Sequence, residues 1–166
     1  MEESTLKYWK DAGHVARRTL EAMKLELTPG KTFHEIIESA ERYIHRHGGK
    51  PAFPGTIAVN DLAAHFTTDH AIRQVEGWDG EMVLQKGDCV KIDFGVHIKG
   101  HIADNALTFE IGNGNEHTEQ IKAAKEARDA AIEMLHPGTP WYKVGQAAAQ
   151  PSLDAGFQPI RNLCGH

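Results

Sequence analysis

Cys89-Val90-Lys91-Ile92-Asp93-Phe94 alternates with period two, sending Val90, Ile92 and Phe94 to one face of a strand and Lys91 and Asp93 to the other. Asp93 therefore leaves the apolar side. Downstream, Lys99-Gly100 has the form of a two-residue turn, and a return strand over His101 to Phe109 sets Asp104 opposite Gly95 in the simplest register. Opposed residues share a face, and Gly95 shares one with Asp93, so the two aspartates become diagonal neighbours about 7–8 Å apart at backbone level. Left bare, the carboxylates would repel one another. Cations held about 3.5–4 Å apart would instead be bridged by them and could activate a water for hydrolysis. One β-bulge would turn Asp104 to the opposite face, so the pairing is an expectation about register.

Working outward towards the N-terminus, Leu6, Trp9, Gly13, Ala16, Leu20 and Met23 recur in steps of three and four, the stripe of a helix buried along one face. The spacing predicts a helix over about 4–25. Thr32-Phe33-His34-Glu35 has the form of a capping box, and Phe33, Ile36, Ile37, Ala40, Tyr43 and Ile44 form the apolar face of a second helix that ends at Gly48-Gly49. Thr56 to Val59 reads as a short strand. An antiparallel hairpin or sheet covered by helices is an α+β arrangement.

Beyond the hairpin the same grammar returns: a helix over about 117–135, Pro137-Gly138, a helix over about 140–154, and Gly156. A shift of 108 residues superposes Pro29 on Pro137, Gly30 on Gly138, Gly48 on Gly156 and Pro51 on Pro159. This register suggests an internal repeat within one domain over 1–166, a first copy over about 1–115 and an incomplete second copy over about 116–166. Pro151 is expected to kink or end the last helix early, because it lacks an N–H. The first copy runs into a strand and a hairpin, whereas the second stops at His166. A truncated chain or gene fragment, with a second hairpin downstream, is therefore expected.

With 166 residues, 40% of them hydrophobic and 25% charged, the chain is expected to fold around its own core. No run approaches the ~20 apolar residues of a membrane span, and MEESTLKYWK lacks the basic and apolar regions of a signal peptide, which points to the cytoplasm and no membrane partner. A net charge of −5 without clustered Lys and Arg argues against a specific nucleic-acid partner. Cys89 and Cys164 show no C-x-x-C spacing and read as reduced thiols. His45 with His47, and His97 with His101, lack companion cysteines and i, i+4 spacing, so solvated surface is favoured over zinc. Gly112-Asn113-Gly114 lacks a Walker lysine and reads as a turn, and the charges from Lys122 to Arg128 read as a solvated helix face.

Longer blocks add a resemblance. Phe53-Pro54-Gly55, Val59-Asn60-Asp61-Leu62-Ala63-Ala64-His65, Lys91 through Gly100 with Ile102-Ala103-Asp104, and Arg161-Asn162-Leu163-Cys164-Gly165-His166 follow one another in an order that resembles the type II methionine aminopeptidases, archaeal or eukaryotic in kind. That family implies the pita-bread metallopeptidase fold, here incomplete. It also implies hydrolytic removal of the N-terminal methionine of nascent proteins by a water that two divalent ions activate; Co, Mn, Fe and Zn all suit the donors.

By this resemblance Asp93 chelates one ion, Asp104 bridges both, and His166 binds the other. His65 serves catalysis from outside the metal shell by contacting the substrate, and Phe53 lines the pocket for the methionine side chain. The family's two glutamate ligands fall beyond His166, so the 166 residues alone are expected to bind metal weakly and to lack useful activity. A transient association with the ribosome is implied as well.

Two departures stand out: the segment between His65 and Asp93, including Ala71 to Met82, is long for the family, and Cys164 stands where a small polar residue is more usual. The alternatives are a prolidase-like or aminopeptidase P-like enzyme, which the Phe53–His65 block disfavours, and a metal-free binding protein of the same fold, which the retained ligands disfavour.

Overall fold

In the computed structural model, which describes residues 3–68, 82–112 and 114–163, the chain divides into two compact units, 1–114 and 115–166. The first carries helices α1 (Glu3–Glu26) and α2 (Phe33–Arg46), the short strands β1 (Lys50–Pro51) and β2 (Thr56–Val59), and the long hairpin β3 (Cys89–Ile98) and β4 (His101–Glu110). β3 is the centre of the sheet. β4 runs antiparallel along one of its edges, and β1 and β2 share the other, β2 against 90–93 and β1 against 96–97. The stretch between β1 and β2 is left to leave the ladder opposite Phe94 and Gly95.

The hairpin has the simple register. Ile98 pairs with His101 across Lys99 and Gly100, whose φ values of 51° and 83° are both left-handed, as a primed two-residue turn demands. Ten consecutive pairs follow without a bulge, from Ile98–His101 to Cys89–Glu110. Val90, Ile92, Phe94 and Val96 are all buried, against Ile36, Ile37, Ala40 and Ile44 of α2 and Ala16, Leu20 and Met23 of α1 in one core. The opposite face, with Lys91, Asp93 and His97, is only half-buried.

α1 departs from its predicted stripe at one end. Ala12, Val15, Ala16, Thr19, Leu20 and Met23 are buried, but Leu6 and Trp9 are 44% and 42% exposed. The indole of Trp9 stands edge-on to the His101 ring, with centroids 5.3 Å apart, instead of entering the core. His101 also lies 5.3 Å from the Tyr8 ring, so it is half-buried beside two aromatics and not the solvated histidine expected from its lack of companion ligands. Thr19, fully buried, donates its hydroxyl to the Val15 carbonyl at 2.8 Å and so carries no unpaired donor inside.

The capping box forms as predicted. The Glu35 amide donates to Thr32 Oγ1 at 3.1 Å, and the Thr32 amide donates to Glu35 Oε2 at 2.9 Å. Thr32→Ala is expected to cost about 1 kcal/mol in urea unfolding, the usual loss for an N-cap hydroxyl. The Thr32 backbone hydrogen bond, followed by its hydroxyl, holds the Glu35 carboxyl below its ordinary value. A carboxyl with a depressed folded pKa adds stability above its unfolded pKa and loses it as pH falls through the folded value. Acid titration below pH 4.5 should therefore weaken the start of α2 in the wild type and have less effect in Glu35→Gln, as read by amide exchange at residues 33–36.

The second unit holds α3 (Thr118–Glu133) and α4 (Trp141–Asp154). Pro151 does not end α4 early: the helix runs on to Asp154, and the Ala155 amide donates to the Pro151 carbonyl at 3.1 Å. The proline stands in the last turn, where its missing N–H removes a single intrahelical bond and the helix stops soon after in any case.

Candidate metal centre

β3 and β4 bring the two predicted carboxylates to one face. Gly95 is the direct partner of Asp104, and Asp93 is the partner of Ala106 two residues further along β4. On the other side of β3, Asp93 faces Thr56. Small neighbours thus flank Asp93 across both ladders. Its Oδ1 is buried and takes no hydrogen bond among the described residues, while the residue is engaged elsewhere. Two hard oxygen donors converging from adjacent strands fit divalent cations. Among the described residues no group of three or more His, Cys, Asp and Glu side chains is close enough to hold an ion. The third expected ligand, His166, lies outside the described residues, as do Cys164 and nearly all of the long segment Ala71 to Met82.

Phe53 is brought to this face by the stretch between β1 and β2, whereas His65 lies in the separate loop that follows β2. An ideal Cβ built on Gly95 would lie 2.2 to 2.8 Å from Cε1, Cδ1 and Cζ of Phe53, so the phenyl ring lies directly on Gly95. By strand alternation that Cβ points to the side of Asp93. The ring is therefore a wall of the aspartate face, fixed there by the Ala52 amide, which donates to the Gly95 carbonyl at 2.9 Å.

After β2 the chain turns back at Asn60 (φ 52°), whose side chain donates to Asp88 Oδ1 and accepts from the Cys89 amide, both at 2.9 Å. It then returns along β2, where the Ile57 amide donates to the Phe66 carbonyl at 2.9 Å. Lys91, on the aspartate face, donates its ammonium to the Ala63 carbonyl and ties this loop down. His65 is exposed at its end with φ 61°, in the left-handed region. Holding a non-glycine residue there costs energy that the surrounding bonds must offset.

Sequence reasoning missed the cleft behind Phe53. Phe53 and Pro54 line, with His34, Glu38, Glu41 and Thr68, a space of about 550 Å³. His34 spans it, with Nε2 3.1 Å from Glu38 Oε1 and Nδ1 3.4 Å from the hydroxyl of the buried Thr68. His34, Glu38 and Glu41 recur at steps of four and three on α2, but that pattern is equally that of a solvated helix edge. Cys89, at the start of β3, adds no chemistry. Burial, and secondarily the Glu110 charge, push its thiol up, so it stays protonated at neutral pH and is a poor ligand or nucleophile.

Comparison with known proteins gives the family and the fold. The profile of Metallopeptidase family M24 matches residues 7–166. A methionine aminopeptidase of Thermococcus onnurineus is 39% identical over 155 residues, 93% of this chain and 49% of its own length. The chain spans about half the length of the first curated relatives it matches. Among solved structures, a methionine aminopeptidase of Rickettsia prowazekii superposes with a TM-score of 0.86 at 21% identity, over 100% of this chain and 66% of that one. A prolidase of Pyrococcus furiosus gives 0.77 at 24% identity, over 93% and 44%. Among the described residues no helix is long and apolar enough to cross a membrane. With its α+β, pita-bread architecture and its paired aspartates, the chain belongs to the M24 family of metallopeptidases.

Proposed function

We propose that this chain supplies the paired carboxylates and the first-residue pocket of a metal-dependent aminopeptidase that removes the N-terminal methionine of nascent proteins. The observation that carries the reading is the meeting of Asp93, Asp104 and the Phe53 ring on one face of the sheet. Asp93 and Asp104 would hold two divalent ions, of Co, Mn, Fe or Zn, together with His166. When bound, such ions polarise the scissile carbonyl and lower the pKa of a water. The protein's own contribution is positioning. The Phe53 ring packs against the methionine thioether, which favours an aromatic wall. His65, held at the edge of the site by its strained loop, contacts the peptide and orients its carbonyl. The cytoplasm, where nascent chains emerge, is the compartment this reading requires, and transient contact with the ribosome goes with it.

The proposed internal repeat finds support in the helices. A shift of 108 residues carries α2 (Phe33–Arg46) onto the bounds of α4 (Trp141–Asp154), and Gly30 (φ 93°) onto Gly138 (φ 87°).

The test is a peptide profile. Protein expressed from the complete reading frame, loaded in turn with Co, Mn, Fe and Zn ions, is expected to release methionine from Met-Ala-Ser and to leave an Ala-Pro-Ala peptide intact. Preferential cleavage next to proline would replace this reading with a prolidase-like one. Failure to bind any of the four metals after reconstitution would replace it with a metal-free binding protein.

A further inference from the structure

We propose that Gly95 is a specificity-determining positioning residue: it exists as glycine so that the Phe53 ring can lie on β3 over Gly95, on the face that carries the two aspartates. The inference rests on the peptidase reading above and adds a residue to it.

Three observations lead to it. First, Gly95 does not need its glycine for backbone reasons. It sits inside β3 with no positive φ, in a conformation any residue adopts, paired directly with Asp104. Second, a side chain there has nowhere to go. The first carbon would stand 2.2 Å from Phe53 Cε1 and 2.6 Å from Cδ1, well inside van der Waals contact, and the obstacle is a rigid ring instead of a flexible chain end. Glycine within a strand otherwise weakens it, and its presence commonly marks the close approach of another group. Third, the ring is held down. Neither β1 nor β2 has a ladder partner for Phe94 or Gly95, and the Ala52 amide uses the Gly95 carbonyl to anchor the residue just before Phe53.

The missing side chain therefore sets the height of the pocket wall. Any substituent at 95 lifts the ring away from the sheet by about the thickness of a methyl group, and with it the side chain that the ring is proposed to grip. Gly95, on which the ring rests, is paired directly with Asp104, so the floor under the wall and that carboxylate belong to one ladder.

The test compares Gly95→Ala, Phe53→Leu and the double variant in protein expressed from the complete reading frame. Gly95→Ala is expected to raise KM for Met-Ala-Ser about tenfold or more with kcat changed less than about threefold, since one methyl-sized misfit in an apolar pocket is worth 10- to 200-fold in discrimination. Affinity for Mn²⁺ should stay within about twofold, and Phe53→Leu on the Gly95→Ala background should recover much of the loss by making room. An unchanged KM, an absence of rescue, or a parallel fall in Mn²⁺ affinity overturns the proposal, the last because Gly95 would then serve the carboxylates. If the wild type releases no methionine, the peptidase reading has failed, and the proposal is judged by ring position alone. The Gly95 α-protons must then show an upfield ring-current shift that Phe53→Leu removes, and absence of that shift overturns it.

Discussion

If Asp93 is a ligand as proposed, Asp93→Asn should weaken Mn²⁺ or Co²⁺ binding by at least about 100-fold in calorimetric titration, because loss of a ligand costs more than the 10- to 100-fold of a supporting residue. The amide keeps the shape of the side chain and its place between Thr56 and Ala106 but removes the charge that offsets the cation. Asp104→Asn should do the same, and the double variant little more, since two ligands of one centre act as a unit. Asp88→Asn is the informative control. Asp88 accepts from the Asn60 side chain at 2.9 Å and from the Gln85 amide at 2.8 Å, so its carboxylate ties the end of β2 to the start of β3. That change should lower stability and leave metal affinity alone. Unaltered metal binding in Asp93→Asn would remove the hairpin from the centre altogether.

Phe94→Ala is expected to cost about 3–5 kcal/mol in urea unfolding, the range for deleting a buried aromatic ring. The ring is 1% exposed and lies beneath Gly55, where a Cβ would come within 2.4 Å of it. Against a typical stability of about 5–15 kcal/mol for a whole domain, that loss brings the protein close to unfolding at ambient temperature. Ile102→Ala should cost less than about 1 kcal/mol, for Ile102 is 54% exposed and pairs with His97 on the aspartate face. The contrast tests the assignment of faces independently of any metal. Equal losses at the two positions would mean that the strand register had been read wrongly, since a slip of one residue exchanges the faces.

The hairpin, its turn and the aspartate pair are legible in the sequence because the information is local. Alternation over Cys89–Phe94 sets the faces, and Lys99-Gly100 sets the turn, after which a two-residue loop leaves Asp104 no other partner than Gly95. The capping box at Thr32 is legible for the same reason. β1 is not, since two residues ending in proline show no strand pattern; Lys50 and Pro51 become a strand only because His97 and Val96 stand ready to pair with them.

The ends of helices fare worse than their middles. Leu6 and Trp9 carry the period of α1, but the core ends before reaching them, and nothing in the spacing says where the sheet below stops. The contact between Phe53 and Gly95 joins residues far apart in the chain and is invisible to any window. A glycine inside an alternating strand is its single trace, and that trace has several physical causes.

The tight, bulge-free hairpin has an arithmetic consequence for how this chain can tolerate insertions and deletions. With two residues in the turn, a length change between Asp93 and Asp104 preserves the ladder only if it adds or removes an even number, shared equally by both arms. An odd change must be absorbed by a longer loop or by a defect in the strand; otherwise one acidic group swings to the oily side. Parity, more than length, is what variants of this hairpin should respect.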